Sequence, residues 1–382
     1  MSRVGLVAPA RRYEDSSSSR SELLFAASGG NLGNFAFVEA LWRHFAPHVT
    51  LLPWNVTPER VRETCDILVF AAANQLGAHE DLGPFAAHLE RIGVPLVAVG
   101  LGAQAQSFDA PVDLSPGTER FAHVLASLAP RRGPNIGVRG EFTLRVLDKL
   151  GLADRAVVTG CPSNFLNDSP DFYPRLKRAS EKQRVDRLCV AAGSRHFERA
   201  WRLEQRLAQL AEETRGAYVV QADLEMVRFA RGEGERSDPG ERAAIHQFIC
   251  PGLAEEEFEL WRLRHATCFN DATSWMEAMR NFDFVVGARF HGVMLAIQAG
   301  TPGGVIAHDS RTAELCQTMA IPVRDGWQTP RRFAASDLRR LFEFDFASYA
   351  ATRERLRGAY LGLLRGCAIE PSPRLAASQA QA

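Results

Sequence analysis

The chain has 382 residues, 46% of them hydrophobic and 24% charged, with 45 Lys+Arg balancing 45 Asp+Glu. That length predicts two domains of about 150–200 residues each, and the charge balance excludes a basic field for nucleic acid and an acidic tail. Seven scattered cysteines without a CxxC argue against a zinc site or a disulfide framework and predict a reducing, cytoplasmic compartment.

Residues 1–20 lack the apolar core of a signal peptide and include the polar run RRYEDSSSSR, so a loose N-terminal segment is expected. No later run is long enough to span a membrane. From Glu22 on, short apolar runs alternate with helical patterns. Strands are predicted at Leu23–Ala27, Val49–Leu52, Asp66–Ala72, Pro95–Gly100, Asn135–Val138 and Ala156–Thr159. Helices are predicted at Phe35–Phe45, Pro84–Ile92, Glu119–Leu128 and Phe142–Leu150. This makes residues 21–170 one Rossmann-like α/β domain. The apolar pattern lapses from Asn167, and residues 171–186 are read as a linker.

Alternation resumes in residues 187–345, the second Rossmann-like domain. Strands are predicted at Leu188–Ala192, Tyr218–Gln221 and Thr267–Phe269. Helices are predicted over Glu198–Glu213, near Glu241–Ile249 and at Thr273–Met279, the last capped by Thr273 or Ser274. Then comes FDFVVGARFHGVMLAIQAGTPGGVIAHDSR, Phe282–Arg311. Phe284–Val286 and Val305–Ala307 have no in/out alternation, as in strands buried on both faces. The helix between them ends at Gly300 with Pro302 just beyond. A C-terminal helix over 346–370 is expected to return across the domain boundary, and 371–382 to be disordered. The fold class is therefore α/β, two Rossmann-like parallel-sheet domains facing a cleft.

Ligands of open α/β sheets bind outside the carboxyl ends of strands. Arg289, His291, His308 and Arg311 all fall there, next to helix N-termini that already favour anions. Arg289 and His291 alternate about Phe290, so they converge while Phe290 packs away. Unrelated surface arginines and a capping histidine are the plainer reading. Arg139 ends another strand before a helix and suits a carboxylate or phosphate, or else a surface pair with Glu141. The turn Ser28–Asn34 brings glycines between strand and helix, with Asn31, Gly33 and Asn34 available to a ligand, although a tight turn alone also needs glycine. Gln104, after Gly100-Leu101-Gly102, and His196, at the end of the second domain's first strand, are secondary candidates. No metal-ligand pattern is present.

These motifs together resemble the polysaccharide pyruvyl transferase family. The pieces are GGNLGN, GLGAQ, IGVRGEFT, VTGCPS, GARFHGVMLAIQAGTP and AHDSR, in order over roughly residues 25–325. The resemblance implies a GT-B-like pair of domains, the first facing the acceptor and the second phosphoenolpyruvate. It implies transfer of a pyruvyl ketal from phosphoenolpyruvate to two sugar hydroxyls, with release of phosphate, in exopolysaccharide or cell-envelope glycan synthesis. Arg139, His291 and Arg311 match the family's phosphoenolpyruvate positions, with Arg289 in the same R-x-H motif. His291 is then the expected general acid, or the imidazolium that stabilises the leaving phosphate. No metal or cofactor is expected beyond phosphoenolpyruvate as donor substrate; the partners are that donor and a saccharide, and a homo-oligomer is compatible with this reading. No base is identified, Asn31, Asn34 and Asp168 being nearby polar groups. The chain departs from the family at Asn34, where an acidic residue is common. It departs again at Ala71-Ala72-Ala73, where a glycine triplet is usual, and at His308 and Arg311, which replace a tyrosine and a lysine. A nucleotide-sugar glycosyltransferase of the same fold, or a non-catalytic glycan-binding protein, stays open.

Overall fold

The computed structural model describes residues 2–14, 20–105, 107–108, 110–196, 200–326, 328–329 and 332–377. The first sheet is built from β1 (Val4–Val7), β2 (Val49–Leu52), β3 (Ile67–Ala71), β4 (Leu96–Leu101), β5 (Ile136–Val138) and β6 (Ala156–Val158), in the order β2-β1-β3-β4-β5-β6. The second contains β7 (Leu188–Ala191), β8 (Ala217–Val219), β9 (Ala266–Thr267), β10 (Phe284–Gly287), β11 (Gly303–Ala307) and β12 (Val323–Asp325), in the order β12-β11-β10-β7-β8-β9. Every pairing is parallel. The central strands β3, β4, β10 and β11 are buried throughout, as expected of strands covered by helices on both faces. Strand order reverses between β1 and β3 in the first sheet and between β7 and β10 in the second. Those crevices are where an α/β sheet receives ligands.

The N-terminal segment is not loose. Val4–Val7 is buried along its length and pairs with both β2 and β3. A Cβ on Gly5 would lie 2.6 Å from Cys65 Sγ and 2.8 Å from a Leu52 methyl, so glycine lets the neighbours close over the strand. Four residues are too few to declare a period, and pattern reading passes over them. The expected looseness of residues 15–19 lies outside the described residues.

Leu23–Ala27, read as a strand, belongs instead to the helix Ser21–Ala27. It has no side-chain cap, and its order comes from the second domain. Arg228 Nη2 donates to Glu22 Oε1 at 2.5 Å, and Ser21 N donates to Glu233 Oε2 at 3.3 Å. Tyr13 N donates to Asn270 O at 2.9 Å, and Leu32 N to Gln221 O at 2.7 Å. Residues 8–14 and 20–33 thus lie along the second domain as an arm between β1 and the helix Asn34–Phe45.

The expected linker also has structure. Phe172–Ser180 is helical, with Phe172, Tyr173 and Leu176 buried. Pro174 sits in its first turn, where an N–H has no intrahelical partner to lose. In the second domain, the helices Leu224–Arg231, Glu255–His265 and Ser310–Thr318 were not anticipated. The expected helix beginning at Glu198 is described from Trp201 to Glu213, and Glu198 itself lies outside the described residues. The cap of Ala272–Met279 is Asp271, which accepts from Ser274 N, rather than Thr273 or Ser274.

The helix Phe346–Gly366 returns to the first domain, where Tyr360 stacks on Phe165 and its hydroxyl lies 3.3 Å from His44 Nδ1. Its buried Arg353 donates to Asn164 O and Asn167 O, both at 2.8 Å, and its guanidinium sits 4.7 Å from the Phe172 ring centre. The tail is ordered as far as residue 377. Leu375 is buried, and Arg357 Nη1 donates to the carbonyls of Leu375 and Ala377. The expected disorder of 378–382 lies outside the described residues. One apolar core runs unbroken from Leu6 and Phe35 to Val190 and Val286, so the two domains share their interior at the base of the cleft. Among the described residues no helix is long and apolar enough to cross a membrane.

Candidate active site

Arg139 follows β5 directly. Its backbone N–H donates to Leu101 O and its Nε to Gly100 O, both at 2.9 Å. The stem crosses the turn after β4 so closely that a Cβ on Gly102 would lie 2.7 Å from Arg139 Cδ. The side chain is only 4% exposed, and the surface pair with Glu141 is absent. Its two terminal nitrogens hydrogen-bond to none of the described residues. Burial pushes the guanidinium down to about 10, opposed by Cys161 and reinforced by the Arg311 charge; it stays protonated at neutral pH.

The second domain supplies the opposing wall. Arg289 follows β10 and stands at the N-cap of the helix Phe290–Ala299, whose left-handed C-cap is Gly300 at φ 88°. Burial lowers the Arg289 guanidinium and Arg311 lowers it further, while Glu204, Asp309 and Asp223 act in the opposite direction. His291, in the first turn of this helix, is pushed down to about 3 by burial and then by Arg139 and Arg311. The imidazole is therefore neutral at neutral pH without a ligand. Arg311 pairs with Asp309 at 3.1 Å, and Asp309 also caps its helix by accepting from Thr312 N. His308 is partly buried, its ring where a Cβ on Gly326 would fall, and burial lowers its basicity, with Arg289 adding to the effect.

Several cross-domain contacts close this space. Thr143 N and Oγ1 donate to the two carboxylate oxygens of Glu314 at 2.7 and 2.8 Å. Ala105 N donates to Ser310 Oγ at 3.1 Å, and Ser310 N donates back to Ala105 O at 3.3 Å. A Cβ on Gly33 would lie 3.0 Å from His291 Cβ and 3.1 Å from Gln221 Oε1. Gly33 is thus the point where the arm touches the R-x-H helix. Cys161 Sγ, on the loop after β6, lies 3.6 Å from His291 Nε2.

The remaining sequence candidates divide. Asn31 Oδ1 accepts from Gly33 N at 2.9 Å, and Asn34 Nδ2 donates to Ser28 O at 3.0 Å, so both asparagines shape the turn. Gln104 Oε1 accepts from Asn74 Nδ2 at 2.6 Å, which ties it to the Ala71–Gln75 turn. Asp168 pairs with the exposed Arg374 at 3.5 Å. His196 is largely exposed and lies 3.3 Å from Asp223, whose main partner is the partly buried Arg195. Pattern reading missed Cys161, Asp309 and Glu204. Asp309 had a signal, since an aspartate just ahead of a helix is a cap. Glu204 had none: it is a buried helix residue accepting from Gly193 N at 2.8 Å and Tyr218 Oη at 2.6 Å.

Three guanidinium groups and an imidazole thus face one another across the domain boundary, with Asp309 as the directly paired carboxylate. Such an arrangement is stabilised by a bound anion of high charge and by little else.

The sequence profile of the family described as polysaccharide pyruvyl transferase matches residues 31–310, which include Arg139, Arg289 and His291, with Arg311 the next residue after the match. No curated protein matches the chain. Among solved structures, the chain is similar to S. aureus MnaA in its UDP co-structure, at 12% identity and a TM-score of 0.49, covering 97% of this chain and 99% of that one. It is also similar to UDP-N-acetylglucosamine 2-epimerase from Rickettsia bellii, at 12% identity and a TM-score of 0.41, covering 95% and 97%. The profile match extends over most of the chain, and the protein belongs to the polysaccharide pyruvyl transferase family.

Proposed function

We propose that this protein transfers a pyruvyl group from phosphoenolpyruvate to two hydroxyls of a saccharide, forming a cyclic ketal and releasing phosphate. The observation that carries this reading is Arg139, nearly buried, with neither terminal nitrogen hydrogen-bonded to any of the described residues, itself acted on by the Arg311 charge and lowering the basicity of His291. Phosphoenolpyruvate joins a phosphate and a carboxylate on one small carbon, so it matches several guanidinium groups held at fixed positions.

The chemistry has three parts. The methylene carbon gains a proton, the first hydroxyl adds to the central carbon, and phosphate leaves as the second hydroxyl closes the ketal. Arg139, Arg289 and Arg311 hold the anionic groups and stabilise charge as it moves to the leaving phosphate. Burial keeps His291 neutral in the empty site, and the Arg139 and Arg311 charges add to it. A bound anion offsets that repulsion and favours the charged ring, so the imidazole gains a proton on binding and serves as general acid. No resident metal or cofactor is invoked, and the cytoplasm is the proposed compartment.

The test compares ligands by thermal shift and then measures phosphate release. Phosphoenolpyruvate should raise Tm and release phosphate when a saccharide acceptor is supplied. Stabilisation by nucleotide sugars and not by phosphoenolpyruvate would replace this reading with glycosyl transfer.

A further inference from the structure

A neutral imidazole must have its single N–H on the correct nitrogen, and the hydrogen bond made by the other nitrogen sets which one that is. His291 Nε2 lies 3.6 Å from Cys161 Sγ, and that sulfur lies 3.0 Å from Ser163 Oγ. Cys161 is 1% exposed and Ser163 fully buried. Their loop is held from behind by Arg353, which donates to Asn164 O at 2.8 Å. The thiol therefore stands on a fixed element after the first sheet, and the imidazole on a helix of the second domain. The contact therefore crosses the domain boundary.

We infer that Cys161 is a positioning residue for His291. In the ligand-free protein it donates S–H to Nε2 and so leaves the ring N–H on Nδ1. Once the bound anion brings the second proton, its sulfur accepts from Nε2–H while Nδ1–H serves the ligand. Ser163 completes the chain by donating O–H to the sulfur. Burial raises the thiol further above its ordinary value, so it keeps its proton despite the neighbouring Arg139 and can act as a donor. The same sulfur faces Arg139, whose terminal nitrogens carry no hydrogen bond from the described residues, and this places the chain at the point where the anion would sit. The inference rests on the pyruvyl-transfer reading for its catalytic meaning and on the contact geometry alone for the tautomer.

The experiment has two arms. The first is ¹⁵N NMR of the ligand-free full chain, which reads the His291 tautomer. The wild type and Cys161→Ser should show protonated Nδ1, and Cys161→Ala should show a mixed population. In the second, with phosphoenolpyruvate and an active saccharide acceptor, Cys161→Ala should lower kcat about 10- to 100-fold while KM for phosphoenolpyruvate holds. Cys161→Ser should recover most of the rate. Melting temperature screens out a folding defect, and Ser163→Ala, which leaves the thiol in place, should show a smaller loss of the same kind. An unchanged His291 tautomer in well-folded Cys161→Ala overturns the inference. A wild type inactive with phosphoenolpyruvate defeats the functional reading and leaves the NMR arm to decide the tautomer separately.

Discussion

Thr143 and Glu314 are bonded twice across the domain boundary, the backbone N–H and the hydroxyl of Thr143 each reaching one oxygen of the buried carboxylate. Burial raises the Glu314 carboxyl above its ordinary value, against the pull of Thr143. Its folded value exceeds its unfolded one, so its contribution to stability is fully present below the unfolded value and is lost as pH rises through the folded one. Glu314→Gln keeps an acceptor for the N–H and a donor for the hydroxyl but cannot ionise. In urea unfolding it should therefore gain stability relative to wild type as pH rises from 4 to 7. Glu314→Ala orphans two buried donors and should lose about 2–4 kcal/mol.

Arg139 is costly to the empty protein and useful to the liganded one. Arg139→Met keeps the stem over Gly102 and removes the unpartnered charge. Its melting temperature without ligand should equal or exceed that of wild type. Its affinity for phosphoenolpyruvate should fall by about 1.5–3 kcal/mol, the contribution of hydrogen bonds to charged groups, or roughly 10- to 100-fold. Calorimetry and thermal shift on the same samples separate the two effects.

His44 and His291 both have their basicity pushed down to about 3 by burial. A histidine depressed in this way leaves the folded state short of protons relative to the unfolded state. Stability should be level above about pH 6.5 and fall between there and pH 3. His44→Phe should flatten much of that slope, since His44 is only 2% exposed. Phosphoenolpyruvate restores a proton to His291 in the proposed mechanism. Calorimetry in buffers of different ionisation heat should therefore show net proton uptake on binding.

Arg353 serves the fold. It satisfies the carbonyls of Asn164 and Asn167, approaches Tyr173 Oη at 3.2 Å and lies over the Phe172 ring. Arg353→Ala should cost about 3 kcal/mol or more, because it orphans two buried carbonyls and opens a void. The loop bearing Cys161 and Ser163 should loosen with it, which hydrogen exchange at residues 161–167 would report.

The strands buried on both faces were legible because each is an uninterrupted apolar run, and the edge strand Val49–Leu52, with Thr50 exposed, also agrees to the residue. The R-x-H block was legible because two polar residues leave a buried strand next to a helix start. What escaped has a tertiary cause. The β1 strand is short and carries a glycine suited to its neighbours, and the helix Ser21–Ala27 owes its order to Arg228 and Glu233, more than two hundred residues away. Arg139 stood between a surface pair and a buried anchor until its neighbours Gly100 and Gly102 were in place. Cys161 looked like an inert core thiol, since only folding brings His291 within reach.

The arm formed by residues 8–14 and 20–33 bears on how the polypeptide is made. Its partners Gln221, Arg228, Glu233 and Asn270 leave the ribosome about two hundred residues after it does. The contacts His44 makes with Tyr360 and with the stretch at Ser372 wait for the last part of the chain. Domains generally fold in order of synthesis, yet here the first sheet can be assembled while its arm and one face still lack their partners. The cationic space between the domains is then completed after the first sheet, so the nascent chain carries no finished anion site until the second domain has been made.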